Sequence, residues 1–483
     1  MAYKHGIYGR EVATSLMPMT QINAGLPVVF GTAPVHLATD RAKANAPVLC
    51  YKYAEAVQAL GYSDNWQDYT LCEFMYSHFS LFNMAPVVFV NVLDADVHKE
   101  TVKNQLYELS DEKILNLPAS EAVLLETLKI STTGEGGDIL AENVDYTAAY
   151  NSDGELIVTI LKQEISAGAS IFLSYDKLNP AAVDYADIIG GVDVSTGAYT
   201  GMEVIAQVYP KFSLIPGQIL APGWSHHPAV AAVMVAKSTG LNARFKLIAI
   251  ADISTAEVKK YTDVAAWKKQ NNYVDPHLIA CWPKISLGGR QFHFSTQLAG
   301  VLCATDAANN DIPYKSPSNE SIKGDSAVID DGSEVILDVE TGGYLNSQGI
   351  VTAINENGWV SWGNRTTDYP GNTDIKDAFI SIRRMFCWLN NTLITTFWSR
   401  IDDPMNKRLI STIVDSANIW LNGLTAKQYI LGGRVEFRED ENTITDLMDG
   451  IINFHVYYAP PPPARDIEFV QEYDTNYFKN LFE

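Results

Sequence analysis

Four consecutive prolines, Pro460, Pro461, Pro462 and Pro463, constrain this chain more than any other feature. Proline lacks a backbone N–H and has a fixed φ, so such a run neither continues a helix nor sits inside a sheet. It stiffens the chain into an extended spacer. The residues that follow, Ala464-Arg465-Asp466-Ile467-Glu468-Phe469-Val470-Gln471-Glu472-Tyr473, form a strand-like run that has left the globular body. The opening residues mirror it. Tyr3-Lys4-His5-Gly6-Ile7-Tyr8 is rich in β-formers, and Met17-Pro18 separates it from the first core-like segment. A chain with a spare strand at each end is suited to being linked to copies of itself. The expected contacts across such links are Tyr3, His5, Ile7 and Tyr8 on one arm and Ile467, Phe469, Val470 and Tyr473 on the other, with Pro460–Pro463 as the hinge.

The body between the arms has 483 residues less these short ends, which at roughly 100–200 residues per domain predicts two to four domains. Apolar residues make up 47% and charged residues 19%, enough to bury real cores and to exclude global disorder. The net charge of −22 argues against a nucleic-acid or anionic-membrane binder, since both need basic surfaces. No apolar run approaches the roughly 20 residues that span a bilayer, and the first residues carry no signal-peptide core, so synthesis and folding in a cytoplasm are expected. The five cysteines (Cys50, Cys72, Cys281, Cys303, Cys387) are far apart, without C-x-x-C spacing, and read as reduced core residues.

Along the chain, residues 26–31 and 46–51 read as strands, residues 68–82 as a helix with Leu71, Phe74, Met75 and Phe79 on one face, and residues 85–93 as a strand covered on both sides. This is α/β grammar. It changes near Asp94: residues 96–175 alternate short strands with turns, including a hairpin at Asn151-Ser152-Asp153-Gly154, and predict a small inserted all-β domain of sandwich or barrel type. The α/β body resumes over 176–372, with a helix from Pro228, strands at 245–251 and 277–282, a helical stretch near 255–270, and short β segments at 334–339 and 349–354. A C-terminal α+β unit spans 373–459. Its longest helix is expected to open at Asp402-Asp403-Pro404, an acidic cap followed by proline, and to stop at Gly423. Strands are expected at 434–438 and 451–458. The fold class is therefore α+β multidomain: an α/β core domain over 21–95 and 176–372, the inserted β domain, the C-terminal unit, and arms at 1–20 and 460–483.

No catalytic constellation emerges. Gly134-Glu135-Gly136-Gly137 lacks the Lys-Ser/Thr of a phosphate loop, carries an acid where phosphate would sit, and reads as a β-turn. His226-His227 precede a helix with no second motif to join them, and His277 and His293 lie in strand-like runs. Asp306 and Asp311, with Asn309 and Asn310, lack the glycine and terminal Glu of a calcium loop and read as a solvated loop. No G-x-S-x-G occurs, which leaves an α/β hydrolase with an inserted β domain as a weak alternative. Trp359, Trp362, Trp388 and Trp398 read as core or subunit-interface packing rather than a ligand platform. No enzyme, metal or cofactor is expected.

The segments Tyr3-Lys4-His5-Gly6-Ile7-Tyr8, Gly31-Thr32-Ala33-Pro34-Val35-His36, Leu220-Ala221-Pro222-Gly223-Trp224-Ser225-His226, Ser295-Thr296-Gln297-Leu298-Ala299-Gly300, Ile382-Arg383-Arg384-Met385-Phe386, Asp403-Pro404-Met405-Asn406, Trp420-Leu421-Asn422-Gly423-Leu424 and Leu431-Gly432-Gly433-Arg434-Val435 occur in that order. Together they resemble the tail sheath proteins of contractile-tailed phages and phage-tail-like bacteriocins. The resemblance implies a core domain of subtilisin-like layout without protease activity. It also implies a homo-oligomer of six-fold rings stacked helically around a tail tube protein, with baseplate and tail terminator proteins at its ends. It implies no nucleic acid and no membrane insertion. The place implied is the virion tail or a bacteriocin particle, assembled in the host cytoplasm. Neighbouring subunits would be joined by terminal arms adding strands to another copy's C-terminal sheet, and the tube would be met by the unit around the 404–422 helix. The arms suit such pairing. Residues 1–20 carry two basic groups and one acid, residues 464–483 two basic groups and five acids, so unlike arms attract and like acidic arms repel. A capsid-less bacteriocin particle remains an alternative to a phage.

Overall fold

The computed structural model describes residues 18–20, 22–134 and 137–481. Its largest layer is an eight-stranded sheet. The central strands Pro27–Gly31, Val87–Asn91, Ile248–Asp252 and Leu278–Cys281 are buried at every position. That is why their sequences are continuous apolar runs instead of alternating ones. Pro27–Gly31 pairs in parallel with Val87–Asn91 on one side and Gln218–Leu220 on the other. Ile248–Asp252, Leu278–Cys281 and Ile350–Asn355 continue the parallel order beyond Gln218–Leu220. Antiparallel strands Pro47–Cys50 and Trp359–Trp362 close the two edges. Helices Pro228–Gly240 and Phe294–Ala307 pack on this sheet.

Residues 99–178 build two three-stranded antiparallel sheets around a separate apolar cluster that includes Leu117, Ile130, Val158, Ile171 and Leu173. Their strands alternate, as Leu156–Ile160 does with residues 156, 158 and 160 inward. A third cluster unites helices Ile380–Phe397 and Lys407–Ala426 with the two-stranded sheet Gly432–Glu436 and His455–Ala459, through Met385, Trp388, Leu389, Leu421 and Val435.

Several elements depart from the sequence expectation for identifiable reasons. The helix expected over 68–82 is α-helical only over Thr70–Met75 and widens into a π-turn over Tyr76–Leu81. The long C-terminal helix does not open at Asp402-Asp403-Pro404. Asp402 adopts a left-handed φ of 67°, Asp403 accepts a bond from Arg400, and the cap is Asn406, whose side chain accepts the Leu409 N–H at 3.0 Å. No strand forms over 334–339 beyond a single bridge from Glu334 to Val328. Asp338 instead caps helix Val339–Ser347 by accepting the Thr341 N–H at 2.8 Å. Asp306 is not in a solvated loop: it lies in helix Phe294–Ala307, buried with Arg384.

Candidate assembly interface

Both ends of the described chain meet the C-terminal unit. At the start, the Thr20 N–H donates to Thr396 Oγ1 at 3.0 Å, and the Trp388 indole N–H donates to the Ile22 carbonyl at 3.2 Å. Thr20 and Ile22 therefore lie along helix Ile380–Phe397. At the other end, strand His455–Ala459 runs directly into the prolines. Pro460 is buried, Pro461 and Pro463 are half-buried, and residues 464–481 are exposed throughout. The proline run thus begins against the body and carries the chain off it.

A buried ion pair ties this unit to the sheet domain. Arg384 meets Asp306 in a two-pronged contact, with Nη1 to Oδ1 at 2.9 Å, and their side chains are only 3% and 2% exposed. Fork-to-carboxylate geometry of this kind fixes orientation as well as distance. Burial pushes the Asp306 carboxyl up, and the Arg384 guanidinium opposes that shift.

The hairpin sheet has one closed and one open edge. Its register pairs Val435 with Val456 and Gly433 with Tyr458. The Asn418 carboxamide, on helix Lys407–Ala426, accepts the Val435 N–H at 2.7 Å and donates to the Val435 carbonyl at 3.0 Å. Val435 therefore turns its backbone groups away from the hairpin partner, and the outer edge of Gly432–Glu436 is covered. In an antiparallel ladder the residue opposite such a position also points outward. The N–H and C=O groups of Val456 and Tyr458 accordingly face away from the hairpin, on an edge that no described strand occupies. Next to it lies a groove of about 540 Å3 lined by Phe386, Arg434, Val456 and Tyr458. Aromatic packing keeps the strand rigid: Phe386 and Tyr458 lie 4.4 Å apart, the Arg434 guanidinium stands 4.0 Å over Tyr457, and the Tyr457 hydroxyl accepts from Arg438 at 2.7 Å.

Of the residues expected to make arm contacts, Ile467, Phe469, Val470 and Tyr473 are largely exposed and pair with no described strand. Tyr3, His5, Ile7 and Tyr8 lie outside the described residues. The end of the arm is not extended: Thr475–Leu481 forms a 3-10 turn, with the Phe478 ring 6.1 Å from Tyr473. At about 3.3 Å per extended residue and 2 Å per 3-10 residue, residues 464–481 reach roughly 50 Å. The Asn418 cap was missed in the sequence, because an asparagine in a helix interior carries no mark of which strand it will bind.

This fold is similar to that of solved contractile-sheath structures. The chain matches the sheath complex of an extracellular contractile injection system, PVC, in its contracted state, with a TM-score of 0.58 at 12% identity over 99% of both chains. It also matches the contracted helical sheath of the anti-feeding prophage, with a TM-score of 0.55 at 12% identity over 97% of this chain and 99% of that one. In sequence it resembles tail sheath proteins from end to end. It is 25% identical to the tail sheath protein of Burkholderia phage BcepMu over 99% of this chain and 98% of that protein. It is 23% identical to the tail sheath protein of Escherichia phage P2 over 77% of this chain and 90% of that one. No family model matches the chain.

Proposed function

We propose that this chain is a structural subunit of a contractile tail sheath. Copies form six-fold rings that stack helically around a tube, and the sheath shortens to drive the tube through a target envelope. Adjacent copies are linked when residues 464–474 of one subunit add as a strand to the open edge of His455–Ala459 in the next. The N-terminal arm joins the same mixed sheet. The core domain has a subtilisin-like layout and serves as scaffold, with residues 96–175 as an inserted β domain on its outside. Tube, baseplate and terminator proteins are its partners.

The observation that carries this reading is the open edge at Val456 and Tyr458, in a unit from which an exposed, proline-stiffened arm departs. Strand addition draws affinity from backbone hydrogen bonds and register from alternating side chains. Its direct test is deletion of residues 464–483 followed by negative-stain imaging. The full chain is expected to form tubes and the truncated one only dispersed particles. Tubes that form as readily without the arm would refute the linkage.

A further inference from the structure

The carboxyl ends of strands Gln218–Leu220, Ile248–Asp252 and Leu278–Cys281, with residues between 64 and 73, line a crevice of about 740 Å3. The chain leaves Pro27–Gly31 for strands on one side of the sheet, while Gln218–Leu220 leads to strands on the other. The connecting segments diverge there, and open α/β sheets bind ligands at such a point. The volume lies in the range of small-molecule sites, roughly 300–1,000 Å3. An assembly role gives this crevice nothing to do.

Its polar groups are unevenly used. Glu73, buried, accepts the His293 N–H at 2.8 Å and holds His293 Nδ1 at 2.7 Å. Asp252, also buried, accepts the Ser295 N–H at 2.8 Å and the hydroxyls of Ser225 and Ser295. Asp330 holds Lys284 and the Thr255 hydroxyl; Asp64 holds Arg290 and the Tyr62 hydroxyl. Every one of these carboxylates is engaged, and donors are what remain. The Trp224 indole N–H is buried with no acceptor among the described residues. His293 is held through Nδ1, and its Nε2 has no hydrogen-bond partner among the described residues. Burial pulls the His293 imidazole down, but the Glu73 carboxylate outweighs it and raises the pKa above the ordinary value, which favours the doubly protonated ring. Lys284 and Arg290 each retain N–H groups beyond those given to Asp330 and Asp64.

We propose that this crevice binds a small organic oxyanion, a phosphate ester or polycarboxylate of at most nucleotide size, through the Trp224 indole N–H, His293 Nε2–H and the side chains of Lys284 and Arg290. A ligand rich in acceptors satisfies the buried indole donor and supplies the charge that three cations, each shared with a single carboxylate, accommodate. Binding occurs on the unassembled subunit and stabilises it by mass action.

The test is calorimetric titration of the full-length, unassembled chain at low salt with AMP, citrate and inorganic phosphate, alongside thermal unfolding. AMP or citrate is expected to bind with a Kd below about 1 mM and to raise Tm. Which of the two binds separates phosphate ester from polycarboxylate. Trp224→Phe and Lys284→Gln are each expected to weaken binding about tenfold. Trp224→Phe loses no hydrogen bond in the ligand-free chain but gives up part of the indole's packing against the core, so its binding is read below its own ligand-free Tm, on protein shown folded by circular dichroism, and it reports binding even where Lys284→Gln disturbs folding. Three outcomes overturn the proposal: no binding of AMP or citrate up to about 10 mM, binding undiminished by Trp224→Phe, or inorganic phosphate binding as tightly as AMP.

Discussion

His78 is an imidazole kept neutral by its surroundings. It is fully buried on the π-turn, stacked 4.9 Å from Phe74, and neither ring nitrogen has a hydrogen-bond partner among the described residues. Burial lowers its pKa to about 3. In the unfolded chain it titrates near 6.5. Between those values the unfolded chain binds a proton that the folded one refuses. Its contribution to stability is therefore full above pH 6.5 and declines as pH falls, at about 1.4 kcal/mol per pH unit. His36, held to about 3 by burial and by Arg41, adds a parallel slope. His78→Leu is expected to flatten the fall of Tm between pH 6.5 and about 4.5 without removing it. An unchanged slope would mean that His78 is protonated in the folded state. The burial of neither histidine was marked in the sequence, although His36 closes the segment Gly31–His36, since burial of this kind is set by packing between distant segments. Asp306 shows the same limit. Its neighbours Asn309, Asn310 and Asp311 suggest a loop, and only contact with Arg384, far along the chain, makes it a buried ion.

Elements were legible where their physics is local. The runs at 26–31 and 85–93 are continuous and β-branched because both faces are covered, and they became central strands. The hairpin over 146–160 follows from alternation around Asn151-Ser152-Asp153-Gly154, and its strands pair from Tyr146↔Ile160 to Tyr150↔Leu156. Helix boundaries were less legible, because several residues near one end can cap and only one does. At 402–406, two aspartates, a proline and an asparagine all carry helix-start chemistry. The asparagine wins, since Asp402 is turned left-handed and Asp403 is drawn to Arg400. Asn406→Ala is expected to cost about 1 kcal/mol in urea unfolding of the subunit, against a few tenths for Asp403→Ala. Equal effects would return the cap to Asp403.

At the scale of the whole molecule, the four prolines marked in the sequence where the chain leaves the body, but nothing marked the free edge of the hairpin sheet. Prolines announce a departing segment; an open edge appears only once Asn418 has covered its opposite. The two edges of the hairpin sheet differ in one respect that a single substitution can address. Proline is tolerated on an edge strand when its missing N–H would have faced outward, and it then blocks pairing there. Val456 is such a position, because its partner Val435 turns outward to Asn418. Val456→Pro is therefore expected to leave the subunit folded by circular dichroism, with the hairpin bonds of Arg434 and Tyr457 intact, while abolishing tubes. Ile467→Asp with Phe469→Asp should give the same loss, since both side chains project to one face of an added strand, whereas Glu468→Gln on the other face should still give tubes. If Val456→Pro assembles normally while the arm substitutions do not, the arm docks on another surface of the neighbour. If all three variants form tubes, the arm is not the link between subunits, and contraction must be transmitted through contacts between their bodies.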